Sequence, residues 1–189
     1  MPDHTLVIGI AGKKRHGKDA FGRMLIRSSG MIATRISFAD ALKEEVAAAC
    51  DLTPEYIESH KENFRLILQG WGTDYRRKLC CDSYWTDIFS HSAANSECEL
   101  VVCTDVRFPN EAKVIKEMGG VLIKISRPGF KEPDSHISEN SLNDWSEWDF
   151  IVDNCGDLSR LEETSRRVFA AITEKINGQE NVDQQYCSH

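Results

Sequence analysis

One stretch constrains this chain more than any other: Gly12-Lys13-Lys14-Arg15-His16-Gly17-Lys18-Asp19. It follows an apolar run, Thr5 to Ala11, and precedes a helical pattern that opens at Ala20-Phe21. Strand, glycine-rich loop and helix in that order make a phosphate-cradling unit. Gly12 and Gly17 reach backbone conformations closed to residues with a Cβ, so the loop can turn its N–H groups inward. The helix beginning near Lys18 adds the positive end of its dipole. Lys18 can follow charge that develops on a transferring phosphoryl group, and Lys13, Lys14 and Arg15 raise the local positive potential. The run from Gly12 through His16 to Ala20 is the candidate nucleotide-phosphate site.

The last loop position departs from the usual pattern, which has Ser or Thr there to ligate Mg²⁺. A carboxylate beside a triphosphate is repelled unless a cation lies between them. Asp19 is therefore expected to hold Mg²⁺, directly or through water. An Asp also suits a helix start, and the two roles are compatible.

Length and charge bound how such a site is used. The 189 residues suffice for one domain with a real core. A net charge of −7 and a pI of about 5.4 argue against a surface that coats nucleic acid. The seven cysteines are odd in number and include no C-x-x-C pair, which fits reduced thiols better than a disulfide framework or a zinc site. No apolar run approaches membrane-spanning length, and Met1-Pro2-Asp3-His4 carries no signal-peptide pattern. A cytoplasmic protein is expected, with neither nucleic acid nor membrane as partner.

Further strands are expected at Ala33–Phe38, Glu99–Thr104, Val121–Ile125 and Phe150–Val152, with helical patterns between them. Strands alternating with helices predict a five-stranded parallel sheet flanked by helices, with the site at the carboxyl ends of the strands. The single domain is expected to span residues 1–177. Residues 54–94 read as an inserted helical, substrate-binding segment, because they are too long for a simple crossover. Within it the glycines of Leu68-Gln69-Gly70-Trp71-Gly72-Thr73 break an apolar helical pattern. Residues 127–148 read as a lid or flap, and 178–189 as a frayed polar tail.

A second cluster of charge, Asp105-x-Arg107-x-x-x-Glu111, follows the third strand at the same sheet edge. Asp105 stands where a second metal-side carboxylate is expected. Arg107 offers a planar fork for a phosphate, and Glu111 can accept hydrogen bonds from a sugar or base. Arg65, Arg76 and Arg77 are candidate phosphate clamps, since transfer between two phosphates must gather several negative charges. Trp85 and Trp71 read equally as stacking faces or as core aromatics. Arg127, at the start of the flap, is placed to swing onto the transferring group, and His136, Ser138 and Glu139 can join a closing contact.

Together these residues resemble a family. The G-K-D loop, Phe38-Ala39-Asp40-Ala41-Leu42-Lys43, Leu68 to Thr73, Asp105-Val106-Arg107-Phe108-Pro109-Asn110-Glu111-Ala112 and the run from Ser135 to Glu139 are similar to those of phage-type deoxynucleoside monophosphate kinases. The resemblance covers Thr5 to about Ile176. It implies a nucleoside monophosphate kinase-like fold, with ATP and Mg²⁺ as cofactors and a deoxynucleoside monophosphate as acceptor. Lys18 and Asp19 would act on the ATP phosphates and the metal, together with Arg107 and Arg127. Arg65, Trp85, Asp105, Arg107 and Glu111 would face the acceptor, and Phe38, Lys43, Trp71, Gly72, Arg76 and Asn110 are further candidates for substrate binding. Members are often homodimers. The basic loop and Asp149-Phe150-Ile151-Val152-Asp153-Asn154 also resemble animal-type phosphomevalonate kinases, which makes phosphomevalonate the alternative acceptor. A regulatory GTPase would need a guanine-reading N-K-x-D motif, and none occurs.

Overall fold

Five parallel strands form the centre of the computed structural model, which describes residues 5–129 and 140–186. They are β1 (Leu6–Ala11), β2 (Ala33–Arg35), β3 (Leu100–Val106), β4 (Val121–Ser126) and β5 (Phe150–Asp153), in the order β2-β3-β1-β4-β5. Parallel strands need crossovers, and here helices supply most of them. The helices are α1 (Lys18–Ser29), α2 (Phe38–Ala49), α3 (Pro54–Ser59), α4 (Lys61–Gln69), α5 (Tyr84–Ala94), α6 (Pro109–Glu117) and α7 (Leu158–Tyr186). A π-helix, Gly70–Cys80, continues directly from α4. The connection from β1 runs to β2 on one side and that from β4 runs to β5 on the other, so a crevice opens at the carboxyl end of β1.

Alternation along the strands builds a core on each face of the sheet. Ile8, Ile10, Val102, Ile123 and Ile125 pack with Phe21 and Leu25 of α1 and Phe169 and Ile172 of α7. Val7, Val101, Cys103 and Leu122 pack with Phe38, Phe89, Ala112 and Ile115 from α2, α5 and α6. The pairing of β1 with β3 is interrupted near the crevice: Gly9 pairs with Cys103 but Ala11 with Val106. The extra residue in β3 sends Val106 to the same core as Cys103, while Thr104 meets α1 and Asp105 meets α2.

Three expectations change. The second strand ends at Arg35, because Ser37 caps α2 in a capping box with Asp40. The glycines at 70 and 72 do not end the helical path; the backbone continues as the π-helix, and the missing Cβ of Gly72 leaves room for Leu42, whose Cδ2 would lie 2.8 Å from it. The α7 backbone runs past Ile176 to Tyr186, where a frayed tail is expected, since a helix bonds its own backbone without needing an apolar face. Residues 130–139 of the expected flap, with His136, Ser138 and Glu139, lie outside the described residues.

Close packing of α1 on β3 depends on Gly22, where a Cβ would come within 2.5 Å of Thr104 Cγ2. Alanine is the better helix former by about 1 kcal/mol, but overpacking here costs about 1–3 kcal/mol. Gly22→Ala is expected to lower Tm by about 2–6 °C in differential scanning calorimetry. A rise in Tm would show that the helix moves off the sheet without cost.

Candidate active site

The glycine-rich loop closes over its own lysine. Gly12 has φ 153° and its missing Cβ would stand 2.3 Å from the Ile125 carbonyl oxygen, so the loop leaves the sheet at a point where only glycine fits. Gly17 has φ 97° and abuts the Asn154 side chain; Arg15 also adopts a left-handed conformation, with φ 61°. Lys18 Nζ donates to the Lys13 carbonyl at 2.9 Å, and Asn154 Nδ2 donates to the His16 carbonyl at 3.1 Å. His16 and Lys18 are buried, Ala20 packs on the core, and Lys13 is exposed. Lys14 reaches across to Glu62 of α4 at 3.1 Å, and Arg65 stands 3.7 Å from the same carboxylate. Lys14 is the chief cause that holds the Glu62 carboxyl below its ordinary range.

The two carboxylates expected at the metal have different surroundings. Asp19 is exposed on the first turn of α1, and one of its oxygens accepts from Thr104 Oγ1 at 2.7 Å. Mg²⁺ keeps most of its waters and takes one or two carboxylates with substrate phosphates, so one accessible carboxylate beside a phosphate loop fits it. Asp105 is engaged elsewhere. Its two oxygens accept from the backbone amides of Phe38 and Ala39 at 3.1 and 2.9 Å, and the Cys103 thiol donates to one of them. Its geometry is that of an anion capping the amino end of α2. That task replaces the metal contact expected of it. Among the described residues, no group of three or more His, Cys, Asp or Glu side chains could hold a metal ion by itself.

Glu111 also turns inward. It is 2% exposed; Oε2 accepts from the amides of Arg107 and Phe108 at 2.6 and 3.0 Å, and Oε1 pairs with Arg77. The Arg77 guanidinium lies 4.2 Å from the centre of the Phe108 ring and donates to Asn110 Oδ1 at 3.3 Å. Asn110 in turn donates to the backbone and side chain of Asp82. Glu111 and Arg77, expected at the substrate, instead join the loop after β3 to the π-helix, because each buried charge needs the other. Arg107 lies on that loop, half-buried.

Other expected contacts gather around α2. Phe38 packs against Phe89, with ring centres 4.2 Å apart. Lys43 is buried between Asp40 and Glu58, at 3.1 and 2.9 Å; burial pulls its pKa down, but the two carboxylates outweigh this and raise it. Trp85 is 3% exposed and donates its indole N–H to the Gly72 carbonyl at 3.0 Å. It is a wall rather than a free stacking face: with Arg35, Phe38, Asp40 and Phe89 it lines a hollow of about 230 Å³. Trp71 and Arg76 both bind Glu45 of α2, at 2.9 and 2.8 Å. Arg127 is exposed and borders a second hollow with Asn154, Gly156, Asp157, Leu158 and Ser159. Thr104 and Glu45 carry no motif in the sequence, and Asn154 enters only as the end of the Asp149–Asn154 run; their roles depend on partners 85, 26–39 and 138 residues away.

Burial pushes the Glu111 carboxyl up to about 7, against the pull of Arg77 and of the two amides. Between its ordinary value of 4.5 and about 7, the folded protein holds this proton more firmly than the unfolded chain does. This group's contribution to stability therefore falls as pH rises through that window, by an amount on the order of 3 kcal/mol. Glu111→Gln is expected to flatten the pH dependence of urea midpoints between pH 5 and 7, whatever its absolute stability. An unchanged slope would assign the titration to another group.

The family model for deoxynucleotide monophosphate kinase matches residues 50–165. A putative deoxynucleotide monophosphate kinase of Acanthamoeba polyphaga mimivirus is 34% identical over 172 residues, covering 79% of this chain and 88% of that protein. The deoxynucleotide monophosphate kinase of Enterobacteria phage T4 is 30% identical over 100 residues, 51% of this chain and 41% of the phage protein. Among solved structures, a gluconokinase from Sinorhizobium meliloti 1021 superposes with a TM-score of 0.55 at 17% identity, covering 92% of this chain and 97% of that one. That last likeness concerns the fold alone.

Proposed function

Since the chain belongs to the deoxynucleotide monophosphate kinase family, we propose that it transfers the γ-phosphoryl group of ATP to a deoxynucleoside monophosphate, with Mg²⁺ as cofactor. The observation that carries this reading is the meeting of two sites at one sheet edge. The phosphate loop leaves β1, the Asp105–Glu111 run leaves its neighbour β3, and Thr104 bonds directly to Asp19. The ATP phosphates lie in the Gly12–Ala20 loop, and the base lies in the hollow bordered by Arg127 and Asn154. The acceptor lies against the start of α2 and the π-helix, its base in the hollow walled by Phe38 and Trp85 and its phosphate facing Arg65 and Arg107. When bound, Mg²⁺ neutralises charge on the phosphates, and Asp19 holds it.

An acceptor phosphate oxygen attacks the γ-phosphorus in line, and the bond to the departing ADP oxygen breaks. A phosphate monoester is already largely ionised at neutral pH, so no general base is needed. Positioning and charge neutralisation by Lys18, Arg107 and Arg127 supply the rate. The other acceptor resemblance, phosphomevalonate, becomes one arm of the test, because the family match is to the nucleotide kinases. No helix among the described residues is long and apolar enough to cross a membrane. We propose a cytoplasmic enzyme whose partner is this small acceptor, with a homodimer as its assembly on the strength of the family resemblance.

Release of ADP from ATP and Mg²⁺ is expected with at least one deoxynucleoside monophosphate, and not with phosphomevalonate or DNA. Asp19→Ala is expected to lose about a hundredfold in kcat. Silence with every deoxynucleotide would overturn the acceptor. Near-normal turnover of Asp19→Ala at saturating Mg²⁺ would overturn the metal role alone.

A further inference from the structure

Successive arginines of the π-helix each end on a glutamate from a different helix of the core. Arg77 goes to Glu111 and Arg76 goes to Glu45. The second of these glutamates has no counterpart in any motif of the chain. Glu45 stands on α2, half-buried, and its carboxylate accepts three side-chain donors. Oε2 takes the Trp71 indole N–H at 2.9 Å and Arg76 Nε at 2.8 Å, and Oε1 takes the Tyr84 hydroxyl. Two donors come from the π-helix and one from the start of α5. Burial pulls the Glu45 carboxyl up, but the three donors outweigh this and hold it below its ordinary range.

The aromatic groups complete the fixation of Arg76. Its guanidinium lies 4.5 Å from the Tyr84 ring centre and 5.2 Å from that of Tyr75, and Trp71 meets Tyr75 edge-on at 5.7 Å. A guanidinium held by a carboxylate at Nε and by rings at its faces has little rotamer freedom left to lose on meeting a ligand. The backbone nearby is tied as well: Trp85 binds the Gly72 carbonyl, and Leu42 fills the space beside Gly72. All of these ties converge on α2, whose amino end Asp105 fixes to β3.

We propose that Glu45 is a positioning residue for the acceptor side of the reaction: it locks the π-helix Gly70–Cys80 onto α2 and so presets Arg76 and Trp71 for the incoming monophosphate. The inference rests on the proposed acceptor reaction and extends it to a residue outside the binding surface. Glu45 acts through Arg76 and does not touch substrate. Its loss weakens acceptor binding and leaves the ATP loop alone, since the Glu45 carboxylate is engaged by Trp71, Arg76 and Tyr84.

Hydrogen–deuterium exchange and steady-state kinetics on the full-length protein test this together, with Glu45→Gln, Glu45→Asp and Tyr84→Phe. Glu45→Gln keeps the volume but turns one acceptor oxygen into a donor. It is expected to speed amide exchange across residues 70–80 and not across 12–18, and to raise the acceptor KM about tenfold while the ATP KM stays within twofold. Tyr84→Phe, which removes one of three donors, is expected to fall between Glu45→Gln and wild type, and Glu45→Asp to recover part of the acceptor KM. Faster exchange without a change in acceptor KM would reduce Glu45 to a structural role and overturn the proposal, as would equal rises in both KM values. Unchanged exchange would overturn the lock itself. A wild-type protein inactive toward every deoxynucleotide would instead overturn the proposed acceptor, and with it the acceptor-side role, while the exchange arm would still decide whether the lock exists.

Discussion

Two backbone amides at the start of α2 donate to the two oxygens of the Asp105 carboxylate, and much of the site depends on that contact. The first amides of a helix have no partner within it, and a buried sheet edge needs its polar ends satisfied. One aspartate at the end of β3 answers both needs. It fixes the direction in which α2 leaves the sheet, and α2 then carries Lys43 toward α3, Leu42 against Gly72 and Glu45 toward the π-helix. The helical segment from Pro54 to Ala94 is thus docked on a helix that is itself docked on the strand next to the phosphate loop.

Charge in this acidic protein is sorted rather than spread. Three cations of the loop and the insert find a carboxylate from a distant part of the chain: Lys14 with Glu62, Arg76 with Glu45, Arg77 with Glu111. These pairs differ in worth. The Lys14 pair is largely exposed and screened by salt, so it holds little. The Arg77 pair is almost wholly buried, where breaking it strands a charge. The same element is therefore tied loosely at the nucleotide loop and firmly at the loop after β3.

The fold was legible wherever the signal was local. The strand, glycine loop and helix at Thr5–Leu25 carry apolar periodicity and punctuation within a few residues, and the parallel sheet followed from alternation of strand and helix. The destination of a charged side chain was not legible in the same way. Asp105 and Glu111 read as substrate or metal ligands because a carboxylate at a strand's carboxyl end suits either task. What decided between a ligand and a cap was the nearness of Phe38 and Ala39, 66 and 67 residues away in the chain. Likewise a glycine pair reads as a break, whereas Gly72 serves the close approach of Leu42 within a helix that continues.

The π-helix has a consequence for how this chain can change length. Its neighbouring arginines reach Glu45 of α2 and Glu111 of α6 from within its wide turns. Removing one residue between Gly70 and Arg76 would disturb its i→i+5 bonding and draw Arg76 and Arg77 one position back along the helix relative to their partners. Both arginines would then leave their glutamates at once, although no contact residue had been altered. Substitutions in this segment act one at a time, whereas a single deletion acts on the whole seam between insert and core.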